Sequence, residues 1–318
     1  FLAVAATEDG TLVELRSSAF TLSGSFGALA PGESTVVSLD RGDVLQVFSD
    51  VPPANANVNV CDELEGEQAP NGVETSCRLD ERWDLTGSVV SADKDVAVWS
   101  GHVCTFVPFD QYACDHLEEG MFPVETWGRR LVMSAPMRPE GGDVAPTLYR
   151  VLAHEDGTDV SFSGGVHSDA TLAAGELLEF TAFQDFVIDA SRPVAVTQAL
   201  LGQNALSSNA GDPAMGSGVP QGQWRNEYDF LVPETYTSNY LNVVAPTGTA
   251  IYLDGTELAG WEPVTGTDFA VLRWELESGS HRLESVADVG FGLTSYGYAL
   301  YTSYLYPGGM NFLRGTTR

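Results

Sequence analysis

Apolar residues in this chain recur at every second position over short runs. In the run 34–39, Thr35, Val37 and Leu39 fall on one side and Val36 and Ser38 on the other, as in a strand with one buried face. Similar runs rich in Val, Leu, Phe and Thr occupy 44–48, 96–99, 177–180 and 194–198. Gly, Pro, Asn and Asp separate them at intervals too short for helices. No stretch keeps apolar spacing of three and four over a dozen residues, and 115–121 would make at most a turn or two of helix. The pattern predicts an all-β protein.

One passage occurs three times, as LAVAATEDGTLV from Leu2, YRVLAHEDGTDV from Tyr149 and LNVVAPTGTAI from Leu241. In each, an apolar run meets Asp-Gly-Thr or Thr-Gly-Thr, where glycine supplies the positive φ that lets two strands double back. A second match follows each copy: VVSADKDVAVWSG from Val89, VIDASRPVAVTQA from Val187 and LESVADVGFGLTS from Leu283. These repeats predict three tandem antiparallel β-sandwich-like units over 1–125, 126–225 and 226–318, with Gly10, Gly157 and Gly248 at equivalent turns. An aromatic-flanked strand precedes the second and third copies, in TWGRRLVMSAP from Thr126 and EYDFLVPET from Glu227. The first copy has no counterpart, so a partner strand upstream of Phe1, or a neighbouring chain, is expected on that edge.

The first unit is longest because of a polar insertion, 50–84, that contains Cys61 and Cys77. Insertions at one point of one repeat map to a loop on one face, often the binding face. Its acids Asp62, Glu63, Glu65, Glu67 and Glu74 suit a basic protein surface or a cation. Two connectors, CDHLEEGMFPVETWG from Cys114 and GDPAMGSGVPQGQWR from Gly211, run through Pro to Trp127 and Trp224. Both tryptophans are expected to wedge their connector against the following core.

Composition narrows the classes. The chain of 318 residues carries 15 basic and 44 acidic residues, a formal charge of -29. Such a charge repels nucleic acid and anionic lipid headgroups, and the chain is too polar throughout for a membrane span. The four cysteines form two local pairs, Cys61 with Cys77 and Cys104 with Cys114, each bracketing a polar loop. Sequence neighbours are the favoured pairing, and two disulfides imply export to an extracellular or cell-surface location. A four-cysteine metal site would need ligands two to four residues apart, which neither pair has.

Few constellations suggest catalysis. His102 and His116, with Asp115, Glu118 and Glu119, lie near the loop between Cys104 and Cys114 and are weak metal candidates. Ser100 lies close to His102 without a Gly-x-Ser-x-Gly elbow, so a hydrolase triad has no support. The turns Glu8-Asp9-Gly10 and Glu155-Asp156-Gly157 are acidic enough to consider calcium, yet turn chemistry explains them and no cofactor is assigned. The closing run YGYALYTSYLYPGG carries Tyr296, Tyr298, Tyr301, Tyr304 and Tyr306. Tyrosine offers rigid amphipathic area for protein or glycan recognition, and alternate tyrosines can equally cover a sheet face.

Several long blocks together resemble the N-terminal domain family of IgGFc-binding protein. They are DLTGSVVSADKDVAVWSGHVC from Asp84, CDHLEEGMFPVETWG, YRVLAHEDGTDV, GDPAMGSGVPQGQWRNEYDFLVPETYTSNYLNVVAP from Gly211, and the closing tyrosine run. The resemblance spans nearly the whole chain and implies a secreted or surface protein, with low lysine and high acidity like the bacterial members. Mucin-type proteins associated with the family cleave themselves at Gly-Asp-Pro-His. Here Gly211-Asp212-Pro213 is followed by Ala214, and no self-cleavage is inferred.

The sequence therefore points to a non-enzymatic extracellular recognition or adhesion module whose partner is a protein or glycan. The alternatives are a structural surface protein assembling into homo-oligomers or fibres through strand edges, and a metal-dependent hydrolase with loop-borne ligands.

Overall fold

The computed structural model describes residues 1–52, 60–64, 74–78, 80–112 and 114–312, with the stretches 60–64 and 74–78 given by their backbone alone. Sequence alternation becomes burial alternation. Leu2, Val4 and Ala6 turn inward along β1 (Leu2–Ala6), and Thr11, Val13 and Leu15 along β2 (Thr11–Arg16).

The chain continues through β3 (Ser34–Leu39), β4 (Val44–Val47), β5 (Val60–Leu64), β6 (Glu74–Arg78), β7 (Val89–Ala92), β8 (Val96–Phe106) and β9 (Cys114–Gly120). One sheet runs β4-β1-β8-β9 and a second β3-β2-β7, while β5 and β6 form a separate ribbon. Val4, Val13, Leu15, Leu45 and Val47 are the centre of the core that the two sheets share. The stretch 115–121, which at most allowed a turn or two of helix, forms strand β9 as far as Gly120. Leu117 faces inward between exposed His116 and Glu118, a two-residue period that only an extended chain satisfies.

Next come β10 (Gly128–Met133), β11 (Thr147–Ala153), β12 (Thr158–Phe162), β13 (Ala170–Leu172), β14 (Leu177–Ala182), β15 (Phe186–Leu200) and β16 (Ala214–Ser217). The long β15 serves two layers. Its first half pairs with β12 and β10, its second half with β11 and β16. The last strands are β17 (Glu227–Val232), β18 (Ser238–Pro246), β19 (Ile251–Leu253), β20 (Thr256–Glu257), β21 (Glu262–Pro263), β22 (Phe269–Glu275), β23 (Gly279–Ser285), β24 (Gly292–Ala299) and β25 (Thr302–Pro307). They form sheets β17-β23-β19-β20 and β21-β22-β18-β24-β25.

The thrice-repeated passage is not a hairpin. β1 pairs with β4 and β8, whereas β2 pairs with β3 and β7; β11 and β12, and β18 and β19, likewise take different partners or different parts of one partner. Both strands of each passage carry an apolar face, and burying both faces against each other requires opposite layers rather than one ladder. The turn itself is built alike each time. Gly10, Gly157 and Gly248 have φ of 64, 66 and 88°. The next residue, Thr11, Thr158 or Thr249, donates its hydroxyl to the carbonyl three residues back at 2.7 Å.

The connectors dock as wedges. Trp127 and Trp224 each follow a single 3-10 turn and donate their indole N–H to a carbonyl five residues back, Phe122 O at 3.1 Å and Val219 O at 3.2 Å. Trp224 is buried edge-on to Phe269, and Trp127 is half-buried. Core clusters also join strands far apart in the sequence. Val107 and Leu117 pack with Ala199, Leu201 and Leu206, and further along Leu200 and Ala214 pack with Tyr240, Tyr296 and Tyr298. Arg150 on β11 reaches back to Asp84 at 3.1 Å while holding Glu179 at 2.7 Å.

Candidate functional site

The insertion and the disulfide-bonded hairpin leave the first sandwich from the same end. Leu2 lies opposite Val47 on β4 and Ser100 on β8. Gly101 still bonds Phe1 through both backbone groups, and from His102 on β8 runs to Phe106 paired, among the described residues, with β9 alone, while the chain leaves β4 through Phe48 towards the insertion. The Phe1 ring bridges the two, 6.0 Å from Phe48 and stacked 5.8 Å from His116.

Both feet of the insertion meet at Phe20. Its N–H donates to Arg82 O at 2.9 Å, its carbonyl accepts from Asp50 N–H at 2.8 Å, and its ring lies 4.9 Å from Trp83. Within the insertion the β5–β6 register sets Cys61 opposite Cys77, Asp62 opposite Ser76, Glu63 opposite Thr75 and Leu64 opposite Glu74. Side chains of these residues, including the expected Cys61–Cys77 disulfide, lie outside the described set, as do Glu65 and Glu67 altogether.

The hairpin is held by the Cys104–Cys114 disulfide, with Cα atoms 5.1 Å apart. Its strands approach closely at Gly101, where an added Cβ would sit 1.8 Å from Leu117 O. A register shift between His102 and Thr105 turns the tip, leaving His102, Val103, Cys104, His116 and Glu118 exposed. His102 Nδ1 accepts from the Cys104 N–H at 3.1 Å, while His116 Nε2 meets Glu118 Oε2 at 3.2 Å and Asp115 Oδ1 accepts from the His116 N–H at 2.7 Å. Although the residue is exposed at the tip, desolvation of its ring against the hairpin lowers the His102 pKa below the ordinary imidazole value. Burial raises the Glu119 carboxyl to about 7.

His102, His116 and Asp115 are thus neighbours that spend their polar atoms on the hairpin's own backbone and on Glu118. Among the described residues no three His, Cys, Asp or Glu side chains gather as a metal-binding group. Ser100 Oγ donates to Phe1 O at 3.4 Å rather than to an imidazole. The aspartates of the two repeated turns act as backbone acceptors, Asp9 Oδ1 from Arg41 N–H at 3.0 Å and Asp156 Oδ1 from Ala174 N–H at 2.8 Å, while Glu155 pairs with Arg192 at 2.6 Å. Exposed Leu22, Val51 and Val103 add apolar area to this end of the first sandwich. The hairpin tip thus presents imidazole, carboxylate and aliphatic groups, and Leu22 and Val51 lie exposed where the chain leaves β4.

The tyrosine run divides by face. Tyr296 and Tyr298 are fully buried, in one cluster with Leu200 of β15 and Ala214 of β16. Tyr296 donates to Asn242 Oδ1 at 2.8 Å and accepts from Met137 N–H at 2.8 Å, and Tyr298 donates to Met137 O at 2.8 Å. Their rings present no surface to a partner. Tyr301 is exposed at the β24–β25 turn. Tyr304 is half-buried, edge-on to Tyr236 at 4.7 Å and stacked on Tyr306 at 5.8 Å, with its hydroxyl on Asn239 Oδ1 at 3.1 Å.

One titrating group escaped the sequence. Asp212 is 5% exposed, its Oδ1 has no hydrogen-bond partner among the described residues, and burial with Asp115 nearby raises its pKa to about 7. Nothing local in Gly211-Asp212-Pro213 announces this, because the burial comes from the segment's packing against β24 and β25, as in the Asp212 N–H bond to Ser303 Oγ at 2.8 Å.

A family model described as IgGFc binding protein matches residues 1–297. The human IgGFc-binding protein is 25% identical over 242 residues, 70% of this chain and 4% of the human protein's length. Among solved structures, an anti-sigma factor domain-containing protein aligns over 56% of this chain and 82% of its own, at 10% identity and a TM-score of 0.17. That likeness carries no structural argument. Among the described residues no helix is long and apolar enough to cross a membrane.

Proposed function

Since the chain belongs to the IgGFc-binding protein family, we propose that it is an extracellular protein-binding module whose contact surface is the braced end of the first sandwich. The observation that carries this is the common exit of the β5–β6 ribbon and the β8–β9 hairpin, bridged by Phe1 between Phe48 and His116. Bracing supports binding because a projection ordered before contact loses less freedom on association. The Cys104–Cys114 disulfide supports an oxidising, extracellular setting. Three sandwiches over 1–125, 126–225 and 226–318 then act as a scaffold, a division supported by the recurring strand order around each glycine turn. Binding, rather than catalysis, is the use for which the exposed groups at this end are arranged.

Carboxylates in the insertion and a chain charge of -29 favour a basic protein surface and an association rate that falls with salt. The human relative's name makes the Fc region of IgG the first probe, followed by a panel of basic secreted proteins and glycans. Surface plasmon resonance would compare the intact chain with one lacking residues 55–79. The deletion is expected to abolish binding while leaving the circular dichroism and melting of the sandwiches in place. Unchanged binding by the folded deletion variant would move the contact surface to the outward tyrosines Tyr236, Tyr304 and Tyr306.

A further inference from the structure

The first sandwich is one strand short of the other two. In the second, β15 carries β12 on one side of its first half and β10 on the other. The third places β23 between β19 and β17. In the first, β7 has β2 on one side and, among the described residues, no strand on the other.

Registers show that these are the same positions. Leu15 faces Val90, Phe162 faces Ile188 and Leu253 faces Leu283, each four residues after the turn threonine. Ile188 and Leu283 are completely buried, and the strands that cover them place Leu131 and Tyr228 opposite. Val90 points into the same core yet is only half-buried. The Asp93 N–H bonds Leu12 O, so along antiparallel β7 the backbone groups of Ser91 and Val89 face β2 and those of Val90 and Ala92 face outward. No hydrogen bond to them is found among the described residues. Nothing blunts this edge: Val-Val-Ser-Ala has no proline, no charge and no bulge.

We propose that the free edge of β7 is a strand-acceptor slot, filled by an antiparallel segment of the same polypeptide with a leucine or aromatic residue at every second position. Both precedents identify the donor as the segment that runs into the first strand of the central passage. β10 leads to β11, and β17 reaches β18 through a connector of residues 233–237. Inward residues of the donor would lie over Val90 and Leu15 as Leu131 and Met133 lie over the second core and Tyr228, Phe230 and Val232 over the third. This completes the sandwich from which the proposed contact surface projects, but it does not depend on that surface binding anything.

The test grafts the sequence of residues 227–237 ahead of Phe1 and follows amide hydrogen exchange at Val90 and Ala92. Those two amides are expected to slow at least tenfold and the melting temperature to rise, with neither change in a control graft bearing Ser at each inward position. A free peptide with the sequence of residues 227–232, added to the ungrafted chain, should protect the same two amides as its concentration rises. Fast exchange with both graft and peptide would overturn the proposal. So would protection in the ungrafted chain that grows with its own concentration, since β7 would then be pairing with a second copy.

Discussion

Removing the hairpin disulfide tests the contact surface and the fold together. In a Cys104→Ser/Cys114→Ser variant, a loop with sequence separation 10 is no longer closed in the unfolded state. For a loop of about ten residues the chain-entropy estimate is about 2.7 kcal/mol of lost stability. The native hairpin should survive, because Thr105–Asp115 and Phe106–Cys114 still pair and Val107 and Leu117 remain packed on the second sandwich. The first unit should therefore melt about 10 °C lower, at roughly 4 °C per kcal/mol for a size between 100 and 150 residues. Hydrogen exchange should quicken at the exposed tip, residues 102–104 and 114–116, and stay unchanged in β1 and β4. If half of the regained freedom is lost again on binding, affinity falls about tenfold. Differential scanning calorimetry, exchange mass spectrometry and surface plasmon resonance read the three effects. An unchanged affinity in a folded variant with a loosened tip would refute the hairpin's place in the contact surface, and exchange rising equally in β1 and β4 would refute its mechanical independence.

Two further variants probe the joints. Asp212 has a folded pKa of about 7, above its unfolded value, so its contribution is fully present below about pH 4 and is lost as pH rises through 7. Asp212→Asn should flatten the difference in urea stability between pH 4 and 8 relative to the parent chain, and an unchanged profile would show that another group is responsible. Arg273 on β22 bonds Asp185 just before β15, gives its Nε–H to Ala135 O at 2.9 Å and reaches Glu262 at 2.9 Å. Asp185→Ala leaves this buried guanidinium without its closest countercharge and should cost about 3–5 kcal/mol. Double replacement of the pair by apolar residues should cost less than the two single changes together; additive losses in denaturant titrations would show that the two side chains act separately.

The two-residue period made the strands legible, and the thrice-written turn marked where the layers meet. What it could not reveal is which layer a strand joins. Thr11 and Leu12 read as the return arm of a hairpin, yet Val13 and Val4 must both be buried, and only strands on opposite layers can turn those two side chains towards each other. The tyrosine run was left open between sheet cover and contact surface for the same reason. Alternation alone says that Tyr296 and Tyr298 share a face, since they are two residues apart. Whether that face meets water or Leu200 and Met137 is decided by a sandwich written about a hundred residues earlier. Local disulfide pairing succeeded at Cys104 and Cys114 because both ends of that loop lie on adjoining strands. The convergence of hairpin and insertion was hidden because Leu2, Val47 and Ser100 share a level only through strand register, a property of the pairings and not of any one segment. Candidate binding residues could be collected from the sequence, but their common direction depends on the fold. It follows that a substitution far from the tip, if it shifted β1 against β8, would misalign the surface without touching a residue in it.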